Sequence, residues 1–139
     1  MRKRRTIADR YERSAMRLLM KHKIAWTEQP IRRYAMAYPI ERRIVAPLPR
    51  TAQQFHVFAH EIAHVILKHT SWPTTPLGQA EEVAAGHWAL ARLRRIRGYI
   101  PRTVMCETYR KLGRSLFDLA CRGEISLPAA ERLLRNPNS

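Results

Sequence analysis

Thr51-Ala52-Gln53-Gln54-Phe55-His56-Val57-Phe58-Ala59-His60-Glu61-Ile62-Ala63-His64 holds a His-Glu-x-x-His signature inside an apolar, helix-compatible run. On a helix of about 3.6 residues per turn, positions 60 and 64 fall on one face, a turn apart. Both imidazoles can then reach one tetrahedral zinc ion, with Glu61 beside it as the base that activates water. Thr51 followed by Gln54 fits a capping box, in which the Thr hydroxyl accepts from a first-turn amide and the Gln side chain reaches back. The helix is therefore expected to start near residue 51. Phe55, Phe58, Ile62, Val65 and Ile66 recur at three- and four-residue steps, so one stripe can face a core whose edge shelters the metal. The competing reading is an amphipathic helix carrying incidental histidines.

A zinc hydrolase needs a third protein ligand and one position left for water. Glu81 and Glu82 are the candidates, at the opening of a second helix expected over Ala80 to Arg97, after a loop marked by Trp72-Pro73, Thr75-Pro76 and Gly78. Glu82 shares a stripe with Gly86, Ala89, Leu93 and Ile96, all small or apolar, whereas Glu81 leads towards Ala85, Trp88, Arg92 and Arg95. Helical phase favours Glu82, and Gly86 with Ala89 would let this helix approach the metal helix closely. The alternative is that both glutamates only complement the positive N-terminus of their helix.

The segment Gln54 to His69, with Phe-x-x-Phe-Ala-His-Glu-x-x-His and His69 five residues after the second motif histidine, resembles the ImmA/IrrE family of zincin-like metallopeptidases. The resemblance covers roughly residues 9 to 97. It implies a gluzincin arrangement, with zinc held by His60, His64 and Glu82, Glu61 as the catalytic group, and a protein substrate such as a helix-turn-helix transcriptional repressor. Ala63 stands where that family often has Gly. The stretch Glu82-Val83-Ala84-Ala85-Gly86 lacks the family's usual Glu-Ala-Asn or Glu-Ala-Asp, and its frequent Met-Pro ending is replaced by Arg92, Arg94, Arg95 and Arg97.

A chain of 139 residues, 45% of them hydrophobic, can bury one core. The expected division is a basic flexible tail over 1–8, the zincin-like domain over 9–97, and a C-terminal helical extension over 98–139 packed on the same domain. Lys and Arg number 26 against 11 Asp and Glu, a formal charge of +15 that would attract nucleic acid or an acidic protein surface. Cys106 and Cys121 lie on one expected helix, too far apart to pair within it. Charged residues Asp9 to Arg13 follow Met1-Arg2-Lys3-Arg4-Arg5 where a signal peptide would turn apolar, and no run approaches the roughly 20 apolar residues of a membrane span. A cytoplasmic protein with no membrane partner is expected.

A first helix is expected over Ile7 to His22, with Tyr11, Leu18 and Leu19 as a partial apolar stripe. Ile31 to Tyr38 and Glu41 to Pro47 read as two short strands around Pro39. By resemblance to zincins, Ile44 to Ala46 would be an edge that pairs with peptide, an ordinary packing hairpin being equally open. Pro101 starts a helix running to about Cys121, with Met105, Tyr109, Leu112, Leu116 and Leu119 as its buried stripe, and Ser126 caps a last helix over Leu127 to Leu134. Pro101 to Leu134 is also the least unfavourable place for a helix-turn-helix. His69 could orient the end of the metal helix, hydrogen-bond a ligand, or simply suit a helix C-terminus. His56 and His22 read as surface residues. His87 could support the metal site or donate to a transition state, but its helical phase departs from Glu82 and favours an exposed position. Tyr34 or Tyr38 read as either oxyanion donors or packing.

The expected fold is α+β: a mostly helical zincin-like domain with a small β-sheet preceding the His-Glu-x-x-His helix. Its expected activity is that of a zinc metalloendopeptidase. The competing expectation, of another class, is a basic nucleic-acid-associated accessory protein of a mobile element that keeps the fold without proteolysis, as ArdC-type antirestriction proteins suggest.

Overall fold

The structure, a computed structural model, describes residues 4–29 and 34–135. Eight elements follow in order: α1 (Ile7–His22), β1 (Ala25–Glu28), β2 (Met36–Tyr38), β3 (Arg43–Ala46), α2 (Ala52–Ile66), α3 (Pro76–Arg97), α4 (Arg102–Cys121) and α5 (Leu127–Arg135). The class is α+β and mostly helical, with the small sheet preceding α2. Among the described residues, no helix is long and apolar enough to cross a membrane.

α1, α2, α3 and α5 each start where a side chain takes up a free first-turn amide, whereas α4, led in by Pro101, has no such cap. Thr6 and Asp9 form a reciprocal capping box on α1. Thr51 caps α2 by accepting from the Gln54 amide, but the Gln54 carboxamide reaches one residue further back than expected, to the Arg50 amide at 3.0 Å. α3 begins at Pro76 rather than Ala80, because Thr75 accepts from the Gly78 amide and Pro76, lacking an N–H, fills the first turn. The Thr-Pro pair taken for loop punctuation is a helix start. Gly78 lies against the loop it caps: a Cβ there would sit 1.8 Å from the Trp72 carbonyl oxygen. Gly98 ends α3 with φ of +80°, a left-handed conformation glycine adopts without cost.

The sheet has the order β1-β3-β2. β3 pairs with β1 in parallel, Trp26 opposite Ile44, and with β2 antiparallel, Ala37 opposite Ile44. β3 is therefore the central strand, and Ile44 to Ala46 is no edge: its backbone is bonded on both sides. The strands are also shorter than expected, 36–38 and 43–46, and positions 31–33 of the first expected strand lie outside the described residues. β1 was not foreseen, since Ala-Trp-Thr-Glu is four residues long and carries little periodicity.

α2 runs through the middle. Phe55, Phe58, Ile62 and Val65 are essentially inaccessible, packed between α1, the sheet and α3 with Tyr11, Ile44 and Leu93. Burial of one such side chain contributes about 1.5–3 kcal/mol, so this stripe fixes the helix axially and rotationally. Trp26 meets Phe58 edge-on at 5.7 Å between centroids and donates its indole N–H to the Ala46 carbonyl at 2.9 Å. A smaller cluster of Val83, Leu112, Leu116 and Ala130 joins α3, α4 and α5. The buried face of α4 starts one residue earlier than expected, with Val104 and Thr108 inward and Met105 exposed.

Candidate metal centre

α2 and α3 are the most extensively packed pair of helices, and they bring His60, His64 and Glu82 together. His60 Nε2 lies 2.9 Å from one Glu82 carboxylate oxygen, and His64 Nε2 lies 3.1 Å from the other. The two Nε2 atoms are 3.1 Å apart. Donors bound at about 2.0–2.1 Å in tetrahedral geometry stand about 3.3 Å from one another, so these separations fit a single zinc ion. At most one proton can lie between the two Nε2 atoms, whereas one cation would satisfy all three groups together. The donor set, two imidazoles and a carboxylate, suits zinc.

Glu81 is turned away. Its carboxylate accepts from the Ser71 amide at 3.2 Å and from the Ser71 hydroxyl at 3.0 Å, tying α3 to the loop before it. Adjacent positions on a helix differ by about 100°, which separates a group facing α2 from one facing the loop. Gly86 was expected to ease the approach of α3 to α2. Its backbone does hydrogen-bond His56 of α2, and the space beside its Cα is filled from α4, where a Cβ would meet Leu112 Cδ1 at 3.0 Å.

His69 supports the site. The α2 helix stops at Leu67, Lys68 takes a left-handed φ of 56°, and the chain folds back so that His69 Nδ1 lies 2.9 Å from His64 Nδ1. Were His64 to coordinate a metal through Nε2, its Nδ1–H would donate to His69, which would fix the tautomer and ring plane. Burial, with the charge of His64 next to it in the absence of metal, lowers the His69 pKa.

The electrostatics follow from burial set against close partners. Burial opposes ionisation of Glu82, but hydrogen bonds from His60 and His64 outweigh it and hold the carboxyl well below the usual range. Burial likewise disfavours the charged form of His64, yet Glu82, with Glu61 and Glu81 behind it, raises its pKa overall. For Glu61 burial wins: its carboxyl is pushed up, the charges of His60 and His64 pulling down and that of Glu82 adding to the rise.

Glu61, His60 and Glu82 line a cleft of about 490 Å³ whose opposite wall is α4, through Glu107, Thr108 and Lys111. Sequence reasoning missed this wall, because nothing in the periodicity of α4 says which helix it lies against. It also placed His56 on the surface, whereas His56 is only 6% exposed. Its Nε2 lies 3.4 Å from Thr108 Oγ1 of α4, and the Gly86 backbone of α3 hydrogen-bonds the ring, so one imidazole joins three helices. Burial, aided by the neighbouring charge of His60, lowers its pKa to about 4.

The remaining candidates lie elsewhere. His87, expected to be exposed, is half-buried against Tyr109 and donates to the Leu134 carbonyl at 3.0 Å, with no contact to His60, His64 or Glu82 among those described. His22 is partly buried, and its Nε2 is without a partner among the described residues. Tyr34 is 62% exposed, and Tyr38 lies under the Arg43 guanidinium at 4.0 Å; neither lines the cleft. Cys106 and Cys121 are exposed and free. Comparison with known proteins finds no matching family model, no similar curated protein and no similar solved structure.

Proposed function

We propose that this protein is a zinc-dependent metallopeptidase in which His60, His64 and Glu82 hold the metal and Glu61 is the general base. One observation carries the reading: three donor atoms from two helices converge within 4.8 Å of one another beside a cleft that Glu61 also lines. Zinc, when bound, supplies Lewis-acid polarisation of a carbonyl and makes water easier to deprotonate.

The chain's own residues supply the rest. Glu61, its carboxyl pKa raised by burial, takes the proton of the attacking water and returns it to the leaving amine. His69 is a positioning residue that holds the His64 ring. The cleft is of a size that takes several side chains of an extended peptide. Ala35, immediately before the outer strand β2, reaches the cleft, which makes β2 rather than β3 the strand beside which a peptide would lie. The resemblance of Gln54 to His69 to the ImmA/IrrE pattern supports a regulatory protein, such as a helix-turn-helix repressor, as substrate.

Wild type, offered a purified repressor of that type and a mixed peptide library, should cleave at defined bonds, and chelation should stop it. Glu61→Gln should keep fold and zinc and lose at least about a hundredfold in rate, as expected for a lost general base. If Glu61→Gln matches wild type in every activity, catalysis is not the purpose of the site.

A further inference from the structure

The basic residues of α1 are sorted onto one side of the helix. Arg10, Arg13, Arg17 and Lys21 recur at three- and four-residue steps and all are exposed, forming a ridge roughly 16 Å long at about 1.5 Å per residue. The acidic residues of the same helix, Asp9 and Glu12, lie to one side of it. Both point towards Arg50, at 4.0 and 2.8 Å, whose single positive charge offsets one of the two carboxylates on that side of the helix. Among the described residues Arg13, Arg17 and Lys21 enter no ion pair. Arg10 also donates to the Ile96 carbonyl, so the last turn of α3, which carries the exposed Arg94 and Arg95, lies near the start of α1. Arg4 and Arg5, also exposed, lie just before α1.

We infer that this ridge is a nucleic-acid-binding surface that contacts the phosphate backbone without reading sequence. The chemistry matches: guanidinium groups present paired donors suited to phosphate oxygens, and about 16 Å of duplex carries on the order of ten phosphate charges. A membrane surface fits less well. A helix that inserts into lipid needs its apolar face free to enter the bilayer, and the apolar face of α1, Tyr11, Ala15 and Leu19, is buried in the core, so only the charges of the ridge could meet a membrane. The inference is independent of the proposed peptidase activity, since α1 contributes no side chain to the metal cleft.

The test is fluorescence anisotropy of the full chain with a labelled duplex of about 20 base pairs across a salt series. Wild type should bind with an affinity that falls steeply with salt. Arg13→Glu/Arg17→Glu should weaken binding more than tenfold near 0.1 M salt and reduce the slope of log affinity against log salt by about 2, as two lost phosphate contacts require. Arg114→Glu/Arg132→Glu, which makes the same change in net charge on α4 and α5, should weaken it far less. Should the glutamate pair disturb the fold, as judged by circular dichroism, Arg13→Gln/Arg17→Gln gives the same comparison with a smaller effect. Equal losses from the two pairs would overturn the inference, leaving net charge alone. No binding at low salt, or binding to phosphatidylserine vesicles and not to the duplex, would also overturn it.

Discussion

Glu81 and Glu82 are neighbours with opposite assignments, and the difference rests on about 100° of helix rotation. Glu82 accepts from both motif histidines, while Glu81 bonds Ser71. Glu82→Ala should lower zinc affinity by orders of magnitude. Glu81→Ala should leave it nearly unchanged while loosening the loop before α3. Titration of both variants with zinc against a competing chelator measures this, and comparable losses would reverse the assignment. The three donor positions were legible in the sequence because each depends on helical period alone: 60 and 64 lie a turn apart, and the small residues of the Glu82 stripe mark the side packed inward. The support from His69 was only one of several readings, since it depends on Lys68 turning the chain back.

Among the elements, α4 was the least legible, and His56 shows why. Its burial comes from Thr108 on α4 and the Gly86 backbone on α3, partners no local pattern announces. A polar residue on an otherwise polar part of α2 reads as exposed until a third helix covers it. The same gap shifted the first two positions of the α4 stripe, Leu112, Leu116 and Leu119 being buried as expected, and β3 looked like an edge because β1 was too short to be seen. His56 also carries a pH consequence. Burial lowers its pKa from 6.5 to about 4, so between those values the unfolded chain binds a proton that the folded chain does not. Stability is then lost as pH falls from about 6.5 towards 4, by on the order of 3 kcal/mol from this residue. His56→Gln should flatten that part of the pH dependence in denaturant-unfolding curves, relative to wild type. An unchanged slope would show that the imidazole is protonated in the fold or free to leave its site.

For the molecule as a whole, the α+β class and the order of its helices could be read from capping residues and apolar periodicity, and α1 has the expected bounds. Its net charge of +15 was equally plain, but its distribution was not. Asp9 and Glu12 point towards Arg50, 38 positions from Glu12, and away from the basic ridge of α1, and that contact exists only once α1 lies beside the start of α2. The account places one metal ion where α2 and α3 meet, and every chemical role assigned to Glu61 depends on it. Elemental analysis of protein purified without chelators, then saturated with zinc and desalted, tests this directly. It should give one zinc per chain for wild type and for Glu61→Gln, and none for His60→Ala. Absence of zinc from wild type after saturation, or its full retention by His60→Ala, would contradict the account.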